Sequence, residues 1–339
     1  MAESDLLELL REARPHLVQA DPETENYLGR LEERHDELLA YVERKFADDP
    51  AAAAEACAAL WNFWWLRGHM SEGRRLLDRA AASGEGNLPD VLKGLGTIAF
   101  RQGDLDAASR AFEQRYELVE SAGSTADVAD ACADLARVAL RRGRFAEVRS
   151  WADAGYAAAE GLDDPGALRL PLHMRAAAAR MEGRLDEARE LYLRSIELNE
   201  QLGNDVSIAG ENHNLFYVEL HGGNREAARK HLAAALAWIF GHENAYLRPY
   251  VFLDCGVLAL HDGDDEAACR LVACADRIFR DTDSIPDPDD YVELETATAT
   301  LRERLGDRFE AIWAEGRALD DEEAEELAWP GFANDPLGG

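Results

Sequence analysis

Lys93, Arg101, Arg137, Arg141 and Arg180 are conspicuous in a chain that is poor in bases, with 36 Lys and Arg against 67 Asp and Glu among 339 residues and a formal charge of −31. A guanidinium presents a planar fork of N–H donors that fits a carboxylate two bonds at a time, so several on one face suit the capture of acidic groups. Trp65, Tyr217 and Tyr250 would add flat apolar anchors, Asn62, His173 and His213 would add hydrogen bonds, and Thr97 and His221 are further candidate positions on the same face. His213 and His221 stand eight residues apart with Glu211 and Glu219 close by, which raises a metal site as an alternative. The spacing is neither HExxH nor HxxxH, so they are read as groove or surface histidines and no metal is assigned. For catalysis there is no G-x-S-x-G phrase and no Gly-rich nucleotide loop. The acid pairs Asp163 with Asp164 and Asp289 with Asp290 stand beside Pro and Gly, where solvation accounts for them. No catalytic residue and no cofactor are assigned.

The surplus of acid carries its own exclusions. A field of that sign repels phosphate backbones and anionic headgroups before any local contact forms, so direct binding to nucleic acid or to a membrane surface is not expected. Salt adaptation explains the same surplus equally well. No apolar run approaches the roughly 20 residues of a membrane helix, and Met1 to Arg14 carries acids where a signal peptide carries lysines and an apolar stretch. A cytoplasmic protein is expected. Cys57, Cys132, Cys255, Cys269 and Cys274 form no CxxC pair and are odd in number, and they are read as small core residues.

The elements that must position these side chains announce themselves through glycine. One phrase, a bulky or basic pair followed by Gly and an acidic helix start, recurs as RGHMSEG at Arg67, QGDLDAA at Gln102, RGRFAEV at Arg142, EGRLDEA at Glu182, GGNREAA at Gly222, DGDDEAA at Asp262 and LGDRFEA at Leu305. Its glycines are Gly68, Gly103, Gly143, Gly183, Gly223, Gly263 and Gly306, at intervals of 35, 40, 40, 40, 40 and 43. Each would end one helix in the left-handed conformation and let an acid start the next. Eight residues before the glycine stand Leu60, Leu95, Leu135, Leu215 and Cys255, with Arg175 as the exception. Five after it come Gly73, Ala108, Ala188, Ala228, Ala268 and Ala311, with Val148 as the exception. Nine after it come Leu77, Phe112, Ala152, Tyr192, Leu232 and Val272, and twelve after it Ala80, Gly155, Ser195, Ala235, Ala275 and Ala318. Small, bulky, small is the second-helix pattern that resembles a tetratricopeptide repeat.

The resemblance implies an all-α, right-handed superhelix, a solenoid of about seven helical hairpins with a 40-residue period. Residues 1–47 are expected to be capping helices, 48–328 the array with a possible joint near 281–290, and 329–339 a flexible tail. In such a fold the first helix of each hairpin lines the concave face. Positions two, three, six, ten and thirteen before each glycine then give Asn62, Trp65, Lys93, Thr97, Arg101, Arg137, Arg141, His173, Arg180, His213, Tyr217, His221 and Tyr250, with only Glu55, Asp90 and Asp130 as acids among them. One reading is a groove for carboxylates. The other is that these bases pair with the protein's own acids on neighbouring helices. Of Trp61, Phe63, Trp64 and Trp65, four residues in five cannot share one face, so Trp61 and Trp64 are expected in the core.

Three stretches, ETENYLGRL from Glu23, ALWNFWWLRGHMSEGRRLLDRA from Ala59 and LRERLGDRFEAIWAEGRALDDEEAEELA from Leu301, resemble the C-terminal helical-repeat sensor region of ATP-dependent transcription regulators of the LuxR and SARP types. The chain has neither their phosphate loop, G-x-x-x-x-G-K-[ST], nor a basic DNA-recognition helix. The resemblance implies sensing of a ligand or partner, and the start at Met1 favours a freestanding protein. The expected function is a non-enzymatic regulator or adaptor that binds a peptide or protein segment, carboxylate-bearing, in the groove. Two alternatives remain open: a small-molecule pocket enclosed by the solenoid, as a sensor or an unusual enzyme, and self-association through the solenoid ends.

Overall fold

The computed structural model describes residues 3–18, 23–162, 164–242, 244, 246–282 and 285–329, and all regular structure among them is helical. Of the expected tail only Trp329 is described, and Asp163, Asp283 and Ser284 also lie outside the described residues. By its internal packing the chain divides into two compact units, Met1–Val138 and Ala139–Gly339.

In the first unit α1 (Glu3–Val18), α2 (Thr24–Glu32) and α3 (His35–Asp48) precede α4 (Pro50–Leu66), α5 (Met70–Ser83), α6 (Leu88–Arg101) and α7 (Leu105–Ala122), and α8 (Thr125–Arg141) runs on past its end. α4 pairs with α5 and α6 with α7. Trp64 and Phe63 are fully buried and Trp61 nearly so, among Leu31, Tyr41, Leu60 and Leu77. A Cβ added to Gly73 would meet Trp64 at 2.8 Å, so the small residue on the second helix is the slot into which the first helix's largest side chain fits.

The second unit continues with α9 (Phe145–Ala159), α10 (Arg169–Met181), α11 (Leu185–Leu202), α12 (Asp205–His221), α13 (Arg225–Gly241), α14 (Arg248–Asp262), α15 (Asp265–Asp281), α16 (Pro288–Leu305), α17 (Phe309–Ala318) and α18 (Asp321–Ala328). α10 pairs with α11, α12 with α13 and α14 with α15, while α16 packs against both α14 and α15.

All seven turn glycines have positive φ, from 53° at Gly306 to 88° at Gly263. At Gly103 the turn closes as a Schellman motif, with Gly103 N donating to the Phe100 carbonyl and Asp104 N to the Ala99 carbonyl. The residue after the glycine then caps the next helix, as Asp104, Asn224 and Asp264 accept from the backbone N–H three residues on. The residues eight before each glycine, Leu60, Leu95, Leu135, Leu215 and Cys255, are all buried. Arg175, the exception, instead bonds Asp153 at 2.7 Å and lies over the Tyr156 ring.

The last hairpin departs from the expected register. Gly306 opens a short 3-10 turn, Gly306–Arg308. The buried residues of α17 are Phe309, Ile312 and Gly316, and Ala311 and Ala318, which the repeat assigned to the interior, are exposed. The cysteines are free and buried, and no described helix is long and apolar enough to cross a membrane.

Candidate functional site

The thirteen positions singled out in the sequence fall into two sets, one in each unit. In the first unit Asn62 and Thr97 are buried, and Arg101, also buried, lies with its guanidinium 5.3 Å from the centre of the half-exposed Trp65 ring. Lys93 pairs with Asp130 and approaches Asp134 at 3.6 Å, and Arg137 donates to Asp134 at 2.9 Å. The hub of this network is a pair that the sequence pattern did not single out. Arg115, from α7, is buried and bonds Asp130 at 2.7 Å and Asp134 at 3.2 Å, and Asp134 itself has no exposed surface. It occupies the twelfth position after Gly103, where the other repeats keep a small residue. A long base in a small-residue slot was the available signal, and only an acid on the next first helix makes it tolerable.

The second unit brings its set together. His213, from α12, is flanked by Asp254 of α14 at 2.7 Å from Nδ1 and by Asp290 of α16 at 3.0 Å from Nε2. A carboxylate can only accept, so both ring nitrogens carry hydrogen and the side chain is an imidazolium. Burial by itself would lower the pKa of His213, but Asp254 and Asp290 outweigh it and hold it well above the ordinary histidine value. Arg180, from α10, is equally buried; it donates to Asp289 and to the Asn214 amide oxygen, each at 2.9 Å, and to Glu293 at 3.2 Å. Its guanidinium lies 4.4 Å from the centre of the Tyr217 ring, which is fully buried beneath it. His221 approaches Glu293 at 3.5 Å, Tyr250 donates to Asp287 at 3.4 Å, and Arg141 donates to the Pro286 carbonyl.

His173, ten residues before its glycine as His213 is before its own, bonds a different acid. Its Nδ1 lies 3.0 Å from Glu211, which also accepts from Ser195 at 2.6 Å. Burial opposes the charge on His173, and Glu211 raises its pKa above the usual value on balance. A cavity of about 190 Å³ remains beside these groups, lined among others by Arg169, His173, His213, Tyr246, Tyr250 and Asp289.

Asp289 and Asp290 correct an expectation. Solvation does not account for them, because both are buried, and their charges are met by Arg180 and His213. Burial and the neighbouring Asp290 push the Asp289 carboxyl up to about 6, against the pull of Arg180. Both stand in the first turn of α16, and nothing local in the sequence distinguishes a carboxylate that faces water from one that packs onto a base far away in the chain. Glu219 is likewise engaged, with Arg189 and Asn224.

No protein-family model matches the chain, and no curated protein matches it by sequence. Solved structures do match. A Rap conjugation gene regulator of the plasmid pLS20, in complex with a Phr peptide, superposes with a TM-score of 0.55 at 9% identity over 88% of this chain and 96% of that one. The apo form of the quorum sensor NprR from B. thuringiensis gives 0.53 at 15% identity over 96% and 99%, and a tetratricopeptide repeat protein from Parabacteroides merdae gives 0.52 at 13% identity over 87% and 99%. The fold is the all-α tetratricopeptide-type repeat. At these identities the likeness speaks for the fold alone. Within a tetratricopeptide-type hairpin the first helix carries the candidate site, and Arg141, Arg180, His213, His221 and Tyr250 come from four successive first helices, α8, α10, α12 and α14.

Proposed function

We propose that this protein is a non-enzymatic regulatory or adaptor protein that binds a carboxylate-bearing peptide or protein segment along the first helices of its second unit. The observation that carries the reading is the convergence of Arg180, His213 and His221 on a single set of carboxylates, with Arg141 and Tyr250 beside them. Buried cations such as Arg180 and His213 need acidic partners, so the face selects for acid. A peptide complex of a Rap regulator and a quorum sensor among the structural neighbours fit the same class of function. So does the resemblance of the opening and closing phrases to the sensor regions of LuxR- and SARP-type regulators. A small-molecule pocket is the weaker reading, because the cavity of about 190 Å³ falls short of the ~300 Å³ from which ligand pockets usually start.

The test is a panel of labelled peptides, acidic, neutral and basic, titrated into the full chain and into an Arg141→Glu, His221→Gln variant. Acidic peptides should bind in preference, and the variant should lose at least about tenfold in affinity, or about 1.4 kcal/mol. Equal binding of all three classes, or an unaffected variant, would refute the assignment of this face.

A further inference from the structure

Residues 286–293, with the sequence P-D-P-D-D-Y-V-E, lie on the face just described. The segment meets it with a backbone carbonyl at Pro286 and with carboxylates at Asp287, Asp289, Asp290 and Glu293, and its partners come from α8, α10, α12 and α14. Residues 288–293 are also the first turns of α16, yet the stretch from Pro286 reaches four successive repeats, as a bound peptide does, whereas a hairpin in series contacts only its neighbours. Its outward side supports the same view, since Tyr291 and Val292 are exposed, at 42% and 46%.

We propose that residues 286–293 are an internal ligand of this groove, and that a free acidic peptide gains the groove by displacing them. The inference rests on the peptide-groove reading and adds its regulation and its ligand class. Displacement exchanges like for like: each carboxylate that leaves Arg180 or His213 is replaced by one that arrives, so the buried cations are never left unpaired. A neutral or basic peptide offers no such exchange and is refused. The ligand class is therefore a segment with adjacent carboxylates and a further one three or four residues on, as Asp289, Asp290 and Glu293 supply here. The internal segment is not ideally matched, because two neighbouring carboxylates crowd one buried site and Asp289 resists ionisation there. The cavity beside His173, Tyr246 and Tyr250 leaves space for an incoming chain to make its first contacts before the internal one has gone.

A tethered segment competes at an effective concentration on the order of millimolar, so the intact protein should bind a free copy of the segment weakly. The probe is a fluorescein-labelled peptide of sequence IPDPDDYVELE, which copies residues 285–295. It is titrated into the full-length wild type, into Asp289→Asn, Asp290→Asn, and into that double variant carrying Arg180→Gln. Helix content is followed by circular dichroism, and hydrogen exchange at residues 288–294 of the wild type is measured with and without excess unlabelled peptide. Binding at least about tenfold tighter to the double variant, lost with Arg180→Gln, is expected, together with faster exchange at 288–294 when peptide is added. Equal affinity for wild type and double variant, lost with Arg180→Gln, overturns the internal ligand and leaves the groove standing. No binding to either, with helix content intact, overturns the groove reading and the internal ligand together. If the double variant loses its helix content, the wild-type exchange decides, and unchanged exchange under excess peptide overturns the proposal.

Discussion

His213 shows how much a single titratable group contributes when every neighbour is chosen for it. Facing it are Asp254 from α14, Asp290 from α16, the edges of the Tyr217 and Tyr250 rings, and Arg180 by way of the shared acidic pair. Its folded-state pKa is raised above the ordinary value near 6.5, so the stabilisation from its charge is fully present below that value and is lost as pH rises through the raised one. Asp289 adds to the same trend at lower pH. Its carboxyl is pushed up to about 6 from the ordinary 3.8, so stability also falls as pH climbs between those two values. The expected outcome is that the melting temperature of the wild type exceeds that of His213→Gln most at roughly pH 6, with the gap narrowing toward pH 9. A gap independent of pH over that range would mean that His213 acts through its shape and not its charge. Arg115 and Asp134 are the counterpart in the first unit, a buried pair that replaces a small residue by an ion pair and so ties two hairpins by charge.

At the scale of elements, the repeat phrase worked because glycine and the residue after it do a local job. Positive φ at Gly68, Gly103, Gly143, Gly183, Gly223 and Gly263 and the caps that follow depend on a handful of adjacent residues, and such features are legible without tertiary knowledge. The last hairpin shows the limit. Gly306 has ψ of −127°, away from the left-handed helix region of the other turns, and the 3-10 turn after it shifts α17 so that Ile312 and Gly316 face inward in place of Ala311 and Ala318. Gly316 is then the contact that matters. A Cβ there would stand 2.3 Å from the Arg270 carbonyl oxygen, which belongs to the backbone of α15 and cannot rotate away. Gly316→Ala is expected to destabilise by about 1–3 kcal/mol, whereas Gly29→Ala in α2, where an added Cβ meets nothing within 4 Å, should stabilise by about 0.5–1 kcal/mol. Urea midpoints of the two variants check this, and a neutral Gly316→Ala would show that α15 and α17 are free to separate.

For the whole molecule the decisive quantity is charge, because a net −31 surrounds a groove proposed to take acids. An acidic peptide therefore approaches against the long-range field, while the contacts it finally makes are buried and weakly screened. Raising salt to about 0.15 M shortens the Debye length to about 8 Å, so the association rate should rise while dissociation stays nearly constant. Stopped-flow mixing of the labelled acidic peptide checks this, and an association rate that falls with salt would mean that a local positive surface steers the encounter. The sequence by itself determined the all-α repeat architecture, its 40-residue step, its turn glycines and the interior positions of the hairpins before the last, because all of these follow from local backbone preferences and from periodic burial. Only the tertiary structure decided what the first-helix bases face. Arg180 and Asp289 are 109 residues apart, and His213 and Asp290 are 77 apart. No periodicity encodes such a pairing. It exists because desolvated cations must find carboxylates, and for Arg180 and one side of His213 these are carried by residues 289–293 of the same chain.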